Sequence, residues 1–321
     1  MKTIKWGIIG CGDVAEVKSG PAFQKVANSE LVAVMRRNGE KAKDFAKRHD
    51  VPFWYDSVDG ILDHPEINAV YIATPPSTHL EIAKQSLAAG KFVYLEKPIT
   101  IDANEAKVLA KIVTENDKIV VAHYRRNLPA FQKVKELLDT NSIGKVLSAD
   151  IQILQSTTNN IIAKTDDNWR VKPETSGGGY FHDIAPHQID LMYHYFGKIK
   201  NAQGFSTATQ NNKVADIVNG IIKFESGVQF RGIWNFIASE KDVKDKCKIY
   251  GEKGTITFSF YGEKVFLDVD AINQVFQFEN PKHIQQPLIE QTVNYFLGKA
   301  KNPCALENGV QVMEIIDMFT T

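Results

Sequence analysis

Ile4-Lys5-Trp6-Gly7-Ile8-Ile9-Gly10-Cys11-Gly12-Asp13-Val14-Ala15 joins a β-branched run to a glycine turn and then to the start of an amphipathic stretch. Gly10, Gly12 and Ala15 stand at the G-x-G-x-x-A spacing of a dinucleotide-binding turn. The first glycine permits the tight turn, the second lets a pyrophosphate approach the backbone, and the alanine lets helix sit on strand. Gly10, Gly12, Asp13 and Val14 are therefore the expected phosphate contacts, because a helix that starts here turns its first N–H groups toward an anion.

Working outward, short apolar runs alternate with longer amphipathic ones. Strands are predicted at Ile4–Ile9, Leu31–Met35, Ala69–Ala73, Phe92–Leu95 and Ile119–Ala122, and helices at Val14–Ala27, Glu40–His49, Leu80–Ala89 and Ala103–Glu115. This is the signature of βαβ units, a parallel sheet covered on both faces. After a helix at Ala130–Thr140 the period changes to two, in segments from Val146–Gln155 to Lys264–Val269, with helices at Ile184–Phe196, Pro287–Gly298 and Leu306–Phe319. The fold class is thus α/β: an N-terminal Rossmann (doubly wound parallel sheet) domain, residues 1–123, followed by an α+β domain, residues 124–321, with a large open, mostly antiparallel sheet.

Composition narrows the function. Lysine plus arginine and aspartate plus glutamate both number 38, so no net field favours nucleic acid or an anionic membrane, and a small near-neutral ligand fits better. Cys11, Cys247 and Cys304 are odd in number and far apart, and His49, His64, His194 and His283 have no paired ligand groups, so neither a disulfide framework nor a metal site is expected. The start of the chain lacks the apolar run of a signal peptide and no stretch is long enough to span a membrane, which makes the cytoplasm the expected location.

The second strand bears on the cofactor. Enzymes that use NAD usually place a carboxylate at its end for the ribose 2′-hydroxyl. Here Met35 is followed by Arg36-Arg37-Asn38, with no carboxylate before Glu40. Two guanidiniums suit a 2′-phosphate, so NADP is favoured, with NAD as the alternative.

Three further motifs carry chemistry. In Phe92-Val93-Tyr94-Leu95-Glu96-Lys97-Pro98 a lysine stands at the carboxyl end of a parallel strand, where ligands bind, and proline stops the strand. Thr74-Pro75-Pro76-Ser77-Thr78-His79 follows the preceding strand. In Gly177-Gly178-Gly179-Tyr180-Phe181-His182-Asp183-Ile184-Ala185-Pro186-His187-Gln188-Ile189-Asp190, Asp183 and His187 share one helix face at i and i+4. Histidine is suited to proton transfer near neutrality, and a carboxylate beside it orients it; the same spacing also makes a serviceable helix start.

Together these motifs resemble the glucose-fructose oxidoreductase and inositol dehydrogenase (Gfo/Idh/MocA) family along the whole chain. The resemblance implies a dehydrogenase or reductase moving a hydride between NAD(P) and a sugar, inositol or related polyol, and a homo-oligomer formed through the open sheet. It assigns Lys97 to both nicotinamide and reacting hydroxyl, His187 to acid/base work, and Asp183 to substrate binding and assistance. Thr74, Pro75, His79 and Glu96 become cofactor contacts. Tyr124, from Tyr124-Arg125-Arg126, and Trp169 and Arg170, from Asn168-Trp169-Arg170, become peripheral substrate residues. His182 and Pro186 depart from the family pattern, and specificity is expected in the loop 156–167. An NADPH-dependent dihydrodiol or anhydrosugar reductase is the nearest rival, and a non-redox NAD(P)-binding regulator or an NAD-using glycosidase the alternative of another class.

Overall fold

The computed structural model describes residues 2–157, 168–209 and 213–320. In chain order the first elements are β1 (Ile4–Ile9), β2 (Ser29–Met35), α1 (Gly39–Arg48), β3 (Phe53–Tyr55), α2 (Val58–Leu62), β4 (Ala69–Ile72), α3 (His79–Ala88), β5 (Phe92–Leu95), α4 (Ala103–Ile112) and β6 (Ile119–Val121). The six strands form one parallel sheet in the order β3-β2-β1-β4-β5-β6. The order reverses between β1 and β4, and ligands of such sheets bind at the carboxyl ends of the strands flanking that reversal.

The helix expected at Val14–Ala27 is broken. A π-helical turn, Ala15–Ser19, passes into a 3-10 turn, Gly20–Ala22. Pro21 explains the break, since it has no N–H to give and its ring obstructs the preceding turn. β3 and α2, only 3 and 5 residues long, are too short for periodicity to reveal.

The second part comprises α5 (Pro129–Asp139), β7 (Val146–Leu154), the single turn α6 (Pro173–Ser176), α7 (Gly179–Phe196), β8 (Ile199–Thr207), β9 (Ile217–Phe224), β10 (Gln229–Asn235), β11 (Lys244–Gly251), β12 (Gly254–Phe258), β13 (Lys264–Val269) and β14 (Ile272–Gln277). Its eight strands run β14-β13-β12-β11-β7-β10-β9-β8, antiparallel except for the β10–β7 pair. One face is packed: Trp234 meets Phe181 edge-on at 5.2 Å between ring centroids. The other is open, and along β9 buried and exposed residues alternate. β14 escapes the sequence reading because Ile272-Asn273-Gln274-Val275-Phe276-Gln277 does not alternate and is mostly exposed.

α8 (Gln286–Phe296) and α9 (Leu306–Thr320) end the chain. The chain forms two compact units: residues up to Tyr124 together with Pro281–Gln311, and Arg125–Asn280 together with Val312 onward. The chain first leaves the first unit after Tyr124, one residue beyond the expected boundary at 123, and 281–311, expected with the second domain, returns to the first unit. The return is driven by burial: Phe296 packs on Trp6 at 5.7 Å, and Cys304 accepts a hydrogen bond from Val121 N at 2.9 Å through its carbonyl. No described helix is long and apolar enough to cross a membrane.

Candidate active site

The glycine turn sits at the reversal point. Gly10 has φ +98°, and a Cβ there would lie 2.8 Å from Ala73 C and Thr74 N, so only glycine fits against the end of β4. A Cβ on Gly12 would meet nothing within 4 Å. That open cradle of backbone, with exposed Asp13 and half-buried Val14 after it, suits a pyrophosphate. At the end of β2, Arg36 is half-buried and Arg37 exposed, while Asn38 caps α1 by accepting from Lys41 N at 3.1 Å.

Thr74 and Pro75 lead from β4 into α3, whose first residue, His79, is 1% exposed. Its Nδ1 lies 3.0 Å from the Pro98 carbonyl and its Nε2 2.8 Å from the Thr74 carbonyl. Both ring nitrogens face backbone carbonyls, and because burial holds the imidazole below its ordinary pKa, the neutral ring donates its one N–H to one of the two. His79, expected as a cofactor contact, thus lies between the Thr-Pro loop and the turn that carries Lys97.

Lys97 follows β5 and is half-buried. Glu96, also expected at the cofactor, is 6% exposed and points into the unit. Its Oε1 accepts from Tyr71 Oη and, at 2.6 Å, from Gln285 Nε2; its Oε2 accepts from Lys97 N at 3.1 Å. Tyr124, expected near substrate, ends the first segment of this unit with 3% exposure.

In the second unit, Asp183 and His187 lie one turn apart on α7, and His187 is 4% exposed. Asp183 Oδ2 accepts from Arg170 Nε at 2.9 Å, and the Arg170 guanidinium lies over the Trp169 ring at 4.6 Å. One turn farther on, Asp190 takes a two-pronged bond from Arg126, Nε to Oδ2 at 2.8 Å and Nη2 to Oδ1 at 2.5 Å, with both residues buried. Arg125 lies over the Tyr261 ring at 4.4 Å and donates to the Phe260 carbonyl.

The departure at His182 has a structural counterpart. A Cβ on Gly178 would lie 2.1 Å from the His182 ring, so imidazole and glycine fit together. Burial pushes that histidine down to about 4. Pro186 lies inside α7, which continues through it to Phe196.

Residues 4–124 match a model described as "Oxidoreductase family, NAD-binding Rossmann fold", and residues 131–257 match one described as "GFO/IDH/MocA C-terminal domain". Oxidoreductase P35 of Formosa agariphila is 54% identical over 317 residues, 98% of each chain. The chain belongs to the Gfo/Idh/MocA oxidoreductase family. It is also 30% identical over 212 residues, 65% of this chain and 56% of the relative, to scyllo-inositol 2-dehydrogenase (NADP(+)) IolW of Bacillus subtilis. A levoglucosan dehydrogenase in complex with NADH has the same fold, with a TM-score of 0.89 at 21% identity, covering 99% of this chain and 96% of that one.

As a Gfo/Idh/MocA oxidoreductase with an NAD(P)-binding Rossmann fold, the protein distributes its motif residues over two frameworks. Gly10, Gly12, Thr74, Pro75, His79, Glu96 and Lys97 belong to the first unit; Trp169, Arg170, Asp183 and His187 belong to the second. Of the loop 156–167, residues 158–167 lie outside the described residues. The sequence reading misses Tyr71, Tyr94 and Gln285 behind Lys97. A tyrosine inside a central parallel strand is the available signal, since its hydroxyl needs a buried partner.

Proposed function

We propose that the protein moves a hydride between NAD(P) and a hydroxyl-bearing carbon, or the matching ketone, of a sugar, inositol or related polyol. The observation that carries this reading is Lys97: it stands at the carboxyl end of β5, beside the β4 turn that borders the reversal point, on a turn held by Glu96 and His79. The relatives named for scyllo-inositol and levoglucosan support the substrate class.

When bound, the nicotinamide supplies or accepts the hydride. Lys97 Nζ donates a hydrogen bond to the reacting oxygen and lowers the cost of charge there. The His187 imidazole takes the hydroxyl proton during oxidation and returns it during reduction. Asp183, fixed by Arg170, orients substrate, with Trp169 as an aromatic wall.

NADP is the favoured cofactor. Among the described residues neither Arg36 nor Arg37 makes an ion pair, whereas nearby Arg48 is engaged by Glu16 and Asp44. The same arginines support a second reading, NADPH-driven reduction of a dihydrodiol or anhydrosugar-type ketone.

A second copy of the chain covers the open sheet face in this reading, since Phe205 and Ile221 are 71% and 58% exposed there and such patches are rare on soluble monomers. The cytoplasm is the proposed location, consistent with three buried thiols.

The test is titration of NADPH and NADH by fluorescence, then a panel of sugars, polyols and their ketones followed at the nicotinamide absorbance. Turnover of a polyol or its ketone is expected. Cofactor binding without turnover in either direction would convert the reading to a nucleotide-sensing regulator.

A further inference from the structure

The segment that returns to the first unit places a side chain in the support of the lysine turn. Gln285, immediately before α8, is fully buried. Its Oε1 accepts from Tyr94 Oη at 2.9 Å and its Nε2 donates to Glu96 Oε1 at 2.6 Å, so the orientation of the amide is fixed by its partners. Its backbone N–H donates to the Lys18 carbonyl at 3.2 Å. Next to Lys18, Ser19 donates through Oγ to Tyr71 Oη at 3.1 Å, and Tyr71 donates in turn to the same Glu96 oxygen. Glu96 Oε2 then holds Lys97 N.

We propose that Gln285 is a positioning residue for Lys97: with Tyr71 it fixes the Glu96 carboxylate, which fixes the Lys97 backbone and joins it to the helical turns that follow the phosphate-binding glycines. The physical argument is one of stakes. Ser19, Tyr71, Tyr94 and Gln285 are all 0% exposed, so water cannot replace a missing partner. An apolar core would hold these strands together as well. A chain of directed donors ending on a carboxylate, whose free oxygen grips the backbone of the next residue, supplies an orientation that apolar packing does not.

The inference rests on the reading of Lys97 as a group at the reacting oxygen, so its test includes a measurement that needs no substrate. Lys97 is labelled with trinitrobenzenesulfonate and quantified by peptide mass spectrometry, with exposed Lys241, in the Glu240–Asp242 turn of the other unit, as internal reference. In Gln285→Leu the Lys97 labelling rate shifts at least about threefold relative to Lys241. With a substrate in hand, kcat falls roughly ten- to a hundredfold, the range for a displaced catalytic group, while KM and cofactor Kd stay within about threefold.

Gln285→Glu keeps the shape and covers the case in which the leucine variant fails to fold. Protonated, the new carboxyl can donate to Glu96 and accept from Tyr94 as the amide does; ionised, it sets two carboxylates against each other, so the pair holds one proton over a raised range. The titratable neighbours are Tyr71, Tyr94, Tyr124, Cys304 and His79. Burial drives Tyr71 and Tyr94 up and His79 down. Lys97 labelling in Gln285→Glu therefore matches wild type at low pH and departs from it as pH rises, a transition the wild type lacks. Wild-type labelling and kcat in the folded variants overturn the proposal and leave the function standing. Shifted labelling with no turnover of any polyol by the wild type leaves the positioning role standing and overturns the function.

Discussion

Glu96 and Asp190 are both buried carboxylates beside a proposed catalytic residue, and the chain satisfies them in opposite ways. Glu96, next to Lys97, is held by neutral donors: a phenol, an amide and a backbone N–H. Asp190, three residues after His187, is gripped by the guanidinium of Arg126. Neutral donors fix geometry from several directions and leave the carboxylate its charge. A cation cancels the charge and ties two elements together, and losing it strands a buried ion. The first arrangement suits a turn that must aim a lysine, the second a helix that must be anchored.

The largest effect belongs to the chemistry this framework serves. Lys97→Met should leave unfolding and cofactor Kd near wild type while turnover falls by roughly two to four orders, the range for an acid/base or oxyanion group. Near-normal turnover on an identified substrate would remove the lysine from the mechanism and make the Glu96 network a support for nothing reactive.

The second effect tests the comparison itself. Arg126→Met leaves Asp190 buried without this partner and should cost about 3–5 kcal/mol in urea unfolding. Tyr71→Phe takes one neutral donor from Glu96 and should cost about 1 kcal/mol. Adding Asp190→Asn to Arg126→Met should recover part of the loss. Equal costs for the two single changes would erase the distinction.

How far this contrast can be read from sequence follows from what each side chain advertises. β1, β4, β5 and the helices α3 and α4 are legible because their apolar periods are local, and Gly10, Lys97, Asp183 and His187 stand out because motifs fix their spacing. Gln285 is not. It lies 189 residues beyond Glu96, in a segment whose pattern resembles the helices of the second unit, so only tertiary burial shows which unit it joins. His79 is legible as a motif member, but its backbone surroundings are not, because the two carbonyls that its ring faces are set by how two loops meet. The break after Ser19 could have been read from Pro21.

The third effect is the acid sensitivity of α7. α7 carries His182 and His194, each driven down to about 4 mainly by desolvation, with Arg126 and Lys135 adding to the shift of His194 and Asp190 and Asp139 opposing it. A folded pKa below the ordinary 6.5 means that the unfolded chain binds more protons between the two values, so stability is full above 6.5 and is lost as pH falls toward 4. For nearly fully buried His182 this is on the order of 3 kcal/mol. Hydrogen exchange at pH 4.5 should show α7 losing protection relative to pH 7, and His182→Leu should flatten that dependence, whereas acid loss at the ends of β4 and β5 belongs to His79, which burial also holds down. An α7 protected equally at pH 4.5 and pH 7 would remove His182 as its acid-labile group.

The smallest effect concerns cations that, unlike Arg126, have no fixed carboxylate. If Arg36 and Arg37 clamp a 2′-phosphate, replacing both with alanine should weaken NADPH by about tenfold and leave NADH nearly unchanged, because only the former carries the phosphate. The modest size follows from exposure: Arg37 is exposed and Arg36 half-buried, so solvent screens the charges, in contrast to the desolvated Arg126–Asp190 pair. The same screening gives a second signature. Raising ionic strength from about 0.05 to 0.5 M contracts the Debye length to a few ångströms and should erode wild-type NADPH affinity more than NADH affinity, while the alanine variant shows no difference between the two. Fluorescence titration of both cofactors at both salt concentrations decides it. Parallel weakening of NADPH and NADH in the variant, or no weakening of either, would make the arginines a solvated end of β2, and the preference would have to come from another group around that strand end.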